Sequence, residues 1–270
     1  MTPAADGANG APGATMRRLF LSDVHLSPRD PRRTARWIRF LAREAPCTDE
    51  LYILGDLFDY WIGPKHLRLP DYREALDALR EAVRGGTRVV FLCGNRDFYM
   101  RGFTEATGVE VVPERTRLLL TVDGRRVCLA HGDYLEGRRD PGFLIQRFIR
   151  SRPVEWFWTR LPAAIARLGA RFYRWLSERN KGKTFRRHRQ HVADYGLAPH
   201  QVAEVFREGA DVLVCGHVHR PQEIADPVPG CGGTLFTLGD WSEGESYLEV
   251  EDGRWRLPEG TERQLPNDGS

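Results

Sequence analysis

Six short apolar runs, each ending in a polar residue and most of them beside a glycine, constrain this chain more than anything else in it. They are "RLFLSD" (18–23), "LYILGD" (51–56), "VVFLCGN" (89–95), "RVCLAHGD" (126–133), "DVLVCGH" (211–217) and "TLFTLGD" (234–240). Continuous apolar runs of this length belong to strands buried on both faces. Between the first three runs, residues 31–45 and 71–84 carry helical spacing, so the first half reads strand, helix, strand, helix, strand. That order is the grammar of a parallel sheet covered by helices. Later, "TRLLLTVDGRRVCLAH" predicts two strands around an Asp123-Gly124 turn, and "SYLEVEDGRWRL" repeats the pattern around Asp252-Gly253. The expected fold is a mixed α/β sandwich of two sheets over residues 17–260, interrupted by a mostly helical insertion over about 141–207 that is rich in Trp, Phe and Arg. A chain of 270 residues is long enough to bury such a core.

The first sixteen residues are rich in Ala, Gly and Pro and have no apolar core segment, so they read as a disordered tail and not as a signal peptide. Residues 261–270 read as a flexible C-terminal tail. Five cysteines without a CxxC pair argue against a disulfide framework or a zinc knuckle. Cys93, Cys128 and Cys215 lie inside apolar runs and are expected to be small buried hydrophobes in a reducing cytosol. The formal charge of +3 is carried mainly by arginine, which suits phosphate-bearing partners and equally fits a bias of composition. No stretch of about 18 apolar residues is present, which excludes a membrane-crossing helix and leaves surface association with a membrane open.

Chemistry concentrates where the runs end, and in open α/β sheets the carboxyl ends of strands are where ligands bind. "SDVH" offers Asp23 and His25, "GDLFD" offers Asp56 and Asp59, and "GNRD" offers Asn95 and Asp97. "HGD" adds His131 and Asp133, and "GHVH" adds His217 and His219. In an extended segment Asp23 and His25, two apart, would point the same way. A lone His or Asp at a strand end is usually a turn or a cap. Five such ends in one chain form a constellation. Oxygen and imidazole ligands without thiolate fit Mn²⁺, Fe²⁺ or Zn²⁺ in open sites, and the number of ligands fits two metals. Paired metals bridged by a carboxylate clamp phosphoryl groups and generate hydroxide from water at neutral pH.

The order DxH, GDxxD, GN(H/R)D, H, GHxH resembles the calcineurin-like metallophosphoesterases over residues 20–220. The resemblance implies a four-layer α/β/β/α sandwich of two mixed sheets, with a helical insertion as a lid. It further implies that Asp23, His25, Asp56 and His219 hold one metal, and that Asp56, Asn95, His131 and His217 hold the second, with Asp56 bridging. Asp59, Asp97 and Asp133 are then either residues that orient ligands or ordinary loop hydrogen-bonders.

Most of that superfamily has His where this chain has Arg96. A leaving phosphate is a weak base that needs its charge neutralised more than it needs a proton, and arginine pairs with phosphate oxygens but gives up no proton. Arg96 therefore favours phosphoanhydride cleavage over ester cleavage. "GDLFDYWIG" (55–63) and "GNRDF" (94–98) resemble the UDP-2,3-diacylglucosamine pyrophosphohydrolases of lipid A biosynthesis. In that branch a Mn²⁺-activated water attacks the α-phosphorus and gives UMP and 2,3-diacylglucosamine 1-phosphate. The resemblance implies catalytic roles for Asp56, Asn95, Arg96 and His217. It implies a lipid-linked nucleotide sugar as substrate, no nucleic acid partner, and a monomer on the cytoplasmic face of an anionic inner membrane. The segment "HGDYLEGRRDPGF" departs from the "HGDxLCTDD" form of the branch, and Asp140 is the candidate substrate-contacting carboxylate there.

Within the insertion, across 161–176, Leu161, Ile165, Leu168, Phe172 and Trp175 or Leu176 share a helical face, with Arg167, Arg171 and Arg174 on another. That helix either packs on the core, walls an acyl groove or rests on a membrane. The basic run 178–191 is either a solvated face or a contact surface for nucleotide and sugar phosphates, through Asn180, Lys183, Arg186 and Arg187. A soluble nucleotide or dinucleoside polyphosphate is the alternative substrate. A non-catalytic scaffold of the same fold is the alternative outside enzymes.

Overall fold

The computed structural model describes residues 16–113, 116–136, 151–160 and 197–258. The elements are β1 (Arg18–Leu21), α1 (Pro31–Glu44), β2 (Glu50–Leu54), β3 (Trp61–Ile62), α2 (Pro70–Arg84), β4 (Arg88–Leu92), β5 (Asp97–Phe98), α3 (Phe103–Thr107) and β6 (Glu110–Val112). They continue with β7 (Leu118–Val122), β8 (Arg125–Ala130), α4 (Arg152–Arg160), α5 (Pro199–Arg207), β9 (Val212–His219), β10 (Gln222–Ala225), β11 (Thr234–Gly239), β12 (Tyr247–Glu251) and β13 (Arg254–Arg256).

One sheet has the order β13-β12-β1-β2-β4-β6, and the other β10-β11-β9-β8-β7. In the first, β1, β2, β4 and β6 run parallel while β12 pairs antiparallel with β1. In the second, β8, β9 and β11 run parallel, flanked by the antiparallel edges β7 and β10. Both sheets are mixed, as the sequence pattern predicts. A separate short pairing of β3 with β5 lies outside them.

Alternate residues of each strand serve different layers. Phe20, Tyr52, Leu54, Val90 and Leu92 face inward and meet Val127, Leu129, Val212, Val214 and Phe236 of the second sheet. Leu19, Leu21, Ile53 and Phe91 point the other way, onto Trp37 and Phe40 of α1 and Tyr72, Leu76 and Leu79 of α2. Behind the second sheet, Cys128, Leu213, Cys215 and Leu235 pack on Val202, Val205 and Phe206 of α5. The result is four layers, helix, sheet, sheet, helix. Because both faces of each central strand are covered, the runs show no polar alternation, and each large side chain so buried stabilises by about 1.5–3 kcal/mol. The helix α5 falls at the end of the span 141–207 and belongs to the outer layer of the second sheet.

Local signals set the boundaries. Asp30 caps α1, its side chain accepting from the Arg33 amide at 3.1 Å, and Pro31 occupies the first turn. The two hairpins turn through Asp123-Gly124 (φ 49° and 79°) and Asp252-Gly253 (φ 53° and 71°), as tight turns with two positive φ angles demand. Cys93, Cys128 and Cys215 are buried.

Candidate metal centre

Parallel strands bring their carboxyl ends to one edge, and here two sheets do so side by side. The loops after β1, β2 and β4 deliver Asp23 and His25, Asp56, and Asn95; the ends of β8 and β9 deliver His131, His217 and His219. Asp23, His25 and His219 each offer a ligand atom within 4.8 Å of the others, and Asp23, Asp56 and His131 form a second such group. Asp23 is common to the two. His217 joins through its backbone amide, which donates to Asp23 Oδ2 at 2.7 Å, and through its ring, 5.1 Å from that of His131.

The local conformation differs from the extended one expected for "SDVH". Asp23 (φ 55°), His25 (φ 53°), Asp56 (φ 53°), His217 (φ 69°) and His219 (φ 57°) all have left-handed backbone. Asp23 and His25 therefore do not converge by strand alternation. Such residues cost of order 1–3 kcal/mol each and persist where the surroundings over-determine them. Here the surroundings are the backbone bonds from Asp23 N to Gly55 O (3.1 Å), His25 N to Asp56 O (3.0 Å) and Leu26 N to Leu57 O (2.8 Å), which zip one loop onto the next.

Glycines supply the space. A Cβ on Gly94 would lie 2.4 Å from Asp56 Oδ1, one on Gly55 2.5 Å from His131 Nδ1, and one on Gly216 2.6 Å from Asp23 Oδ2. Gly94 thus serves close approach, while Gly55, at φ 89°, serves both approach and turn.

Hydrogen bonds aim the ligands. The His131 Nδ1 group lies 2.7 Å from Leu54 O; a carbonyl only accepts, so Nδ1 carries the proton and the Nε2 lone pair faces the centre. Burial opposes a charge on His131, but Asp56 and Asp23 outweigh it and raise its pKa. Burial likewise opposes ionisation of Asp23, yet its bond to His219 Nε2 (3.0 Å) and the nearby His131 and His25 hold the carboxyl well below its usual range. Asp97 accepts from the amides of Asp56 and Gly94, both at 2.8 Å. It is pushed up to about 7 by burial and then by the Asp56 carboxylate, with both amides opposing.

These donors fit divalent cations. The imidazole nitrogens of His25 and His219 face one another at 3.4 Å with the Asp23 carboxylate beside them. Among the described residues, Asn95 Oδ1, His131 Nε2 and Asp97 Oδ1 are buried with no hydrogen-bond partner. Buried acceptors without donors are costly, and a cation satisfies several at once.

Arg96 stands at the rim of this group. Its amide donates to Asp56 Oδ1 (2.9 Å), its Nε lies 3.3 Å from Asp56 Oδ2, and its Nη1 donates to Asp59 Oδ1 (2.8 Å). Burial disfavours the charge, but Asp56, Tyr60 and Asp59 overcome this and raise the pKa. Asp59 therefore partners Arg96, and Asp97 orders the backbone that carries Asp56 and Gly94. Asp240, not among the expected site residues, places its Oδ2 3.6 Å from His219 Nδ1, and the "LGD" ending of the sixth run is its signal. Asp140, Asn180, Lys183, Arg186 and Arg187, and the apolar face of 161–176, lie outside the described residues.

A two-sheet sandwich with imidazole and carboxylate ligands gathered at one edge defines a phosphoesterase class, and the chain belongs to the calcineurin-like phosphoesterase family, whose sequence pattern matches residues 16–221. Within that class it falls among the UDP-2,3-diacylglucosamine hydrolases. It is 36% identical over 255 residues to the UDP-2,3-diacylglucosamine hydrolase of Stenotrophomonas maltophilia (strain K279a), covering 90% of this chain and 98% of that one. The enzyme of the same name from Aeromonas hydrophila is 33% identical over 246 residues, again covering 90% and 98%. That of Pseudomonas aeruginosa (strain PAO1) is 32% identical, covering 87% and 95%. The protein is accordingly a hydrolase of a divalent-metal-dependent family.

Proposed function

We propose that this chain hydrolyses the pyrophosphate of UDP-2,3-diacylglucosamine, giving UMP and 2,3-diacylglucosamine 1-phosphate, with two Mn²⁺ ions. The observation that carries the reading is near full-length similarity to hydrolases of that name, together with an arginine held beside the ligand carboxylate Asp56. Asp23, His25, Asp56 and His219 would hold one cation, and Asp56, Asn95, His131 and His217 the other, with Asp56 bridging. When bound, the cations neutralise phosphoryl oxygens and make water acidic enough to attack at neutral pH.

The remaining work falls to the chain. Water oxygen bonds to the α-phosphorus as the bond from that phosphorus to the bridging oxygen breaks, the sugar 1-phosphate leaves with the electron pair, and the proton lost by the water passes to solvent. Arg96 pairs with the phosphate oxygens and offsets their growing charge without giving up a proton. Asp97 fixes the amides of Asp56 and Gly94, so the carboxylate keeps its position as charge shifts around it. Asn95 and His217 contribute at the attacked phosphate. Asn180, Lys183, Arg186 and Arg187 of the insertion are assigned to the nucleotide and sugar phosphates, and Asp140, just before it, is assigned to the substrate as a contacting carboxylate.

The substrate's acyl chains place the working protein, a monomer, on the anionic cytoplasmic face of the inner membrane. Among the described residues no helix is long and apolar enough to cross a membrane. On α4, Trp156 and Phe157 are 59% and 55% exposed, which suits contact with an interface. The test is UMP release from UDP-2,3-diacylglucosamine by Mn²⁺-loaded protein. No release from metal-replete protein rejects the reading, and equal turnover of diadenosine tetraphosphate would favour a soluble nucleotide instead.

A further inference from the structure

Arg96 is fixed in place before any substrate arrives. Its Nη1 donates to Asp59 Oδ1 at 2.8 Å and lies 3.4 Å from the Asp59 carbonyl oxygen. Its guanidinium carbon sits 5.5 Å from the centre of the Tyr60 ring. Backbone bonds close the arrangement on both sides: the Asp59 amide donates to Leu26 O (2.9 Å), and the Trp61 amide donates to Arg96 O (3.0 Å). This last bond opens the short β3–β5 pairing, with Trp61 opposite Asp97. The side chains of Arg96 and Asp59 are only 14% and 16% exposed, so water screens the pair weakly. Asp56 engages Nε and Asp59 engages Nη1, which leaves Nη2 outside these pairings.

An unrestrained arginine side chain carries rotamer entropy, which would be lost on meeting phosphate. A planar guanidinium anchored at two of its three nitrogens and laid on a ring has already lost it. We propose that Asp59 is the positioning residue for Arg96: it holds the guanidinium at the edge of the Asp56 carboxylate, so that its remaining arm meets a phosphoryl oxygen of the anhydride. Asp59 is a member of neither of the two clusters formed by Asp23, His25, Asp56, His131 and His219. The inference rests on the reading that Arg96 meets phosphate, and its consequence is separable from metal binding.

Misplacing a positioned group by about 1 Å costs up to a hundredfold in rate. Asp59→Ala is therefore expected to lower kcat on UDP-2,3-diacylglucosamine roughly 10- to 100-fold, with wild-type Mn²⁺ stoichiometry. In an Arg96→Ala background the same change should alter the rate by less than about twofold, because groups acting through one another are non-additive. Asp59→Glu, which keeps a carboxylate, should recover part of the loss, and Asp59→Asn carries the comparison if the alanine variant fails to fold. Full additivity of the two losses, or loss of metal in Asp59→Ala, would overturn the proposal. A readout without substrate separates it from the reading of the reaction: the Arg96 Nε–H resonance should exchange slowly with water in the wild type and faster in Asp59→Ala. Equal exchange in both proteins overturns the clamp, whereas a wild type that releases no UMP overturns the substrate assignment alone.

Discussion

Gly94→Ala isolates the steric demand of the centre. The added Cβ would lie 2.4 Å from Asp56 Oδ1, 2.8 Å from the Asp56 amide nitrogen and 2.9 Å from His131 Cε1, where ordinary contact begins at 3.4 Å. The Asp56 carboxylate or the strand end must therefore move by about 1 Å, and neither neighbour is the loose end of a flexible side chain. Gly94 has no left-handed φ, so the substitution carries no backbone strain of that kind. Overpacking of this degree costs about 1–3 kcal/mol, and each kcal/mol lowers Tm by roughly 2–4 °C in a chain of this size. Displacing the groups that carry a ligand also weakens metal binding, by roughly 10- to 100-fold. The assay is metal content after dialysis at fixed free Mn²⁺, with Tm measured in the presence of EDTA. Gly86→Ala is the control: its Cβ meets nothing within 4 Å but its φ is 105°, so it should lower Tm through strain of about 1–2 kcal/mol and leave metal content unchanged. Wild-type metal content and turnover in Gly94→Ala would refute the reasoning.

Asp56→Ala should lose at least one cation and nearly all turnover, measured by metal analysis and UMP release; activity within a few fold of wild type would remove its bridging role. Arg96→Ala should keep its metal and turn over more slowly, and unchanged kinetics would separate Arg96 from phosphate. In metal-stripped protein, Mn²⁺ at a hundred times its Kd should raise stability by about 2.7 kcal/mol, read as a rise in Tm; no rise would mean that the fold does not hold the ion. Glu50 accepts from Arg18 Nε (2.8 Å) and Arg88 Nη1 (3.0 Å); burial opposes its charge, but these bonds prevail and its pKa is lowered from the ordinary 4.5. A lowered folded pKa stabilises fully above the unfolded value and is lost as pH falls through the folded one. Wild-type Tm should thus fall more steeply below about pH 4.5 than that of Glu50→Gln, and parallel acid profiles would contradict this.

The layers were legible in the sequence because both faces of the central strands are covered: Leu19 and Leu21 serve one layer and Phe20 the other, which leaves an unbroken apolar run. The hairpins were legible from Asp-Gly pairs. The candidate ligands were legible as residue types at strand ends, since parallel strands must deliver them to one edge. Their backbone was not. Nothing in "SDVH" or "GHVH" announces left-handed residues, because no propensity favours Asp or His there strongly enough; the zipped loops impose it. The pairing of Asp59 with Arg96 joins positions 37 apart in sequence, through a β3–β5 contact of two residues per strand that is too short to carry a periodic signal. Asp240 ends a run as the candidate ligands do, but its contact with His219 depends on where that ring turns, which spacing does not encode.

The distance in sequence between the two halves of the centre has a consequence for protein synthesis. His219 lies 196 residues after Asp23, and the strand that seals the open side of β1 is β12, at 247–251. A ribosome that has released the first half of the chain has exposed Asp23, Asp56 and Asn95 together with an unpaired strand edge. The imidazoles of His217 and His219 have not yet emerged. Tight metal capture therefore waits for the last third of the chain, and the same late segment that completes the ligand set also closes the sheet. A nascent chain stalled before residue 217 would hold the carboxylates of the centre without these imidazoles, and would present an edge free for mispairing.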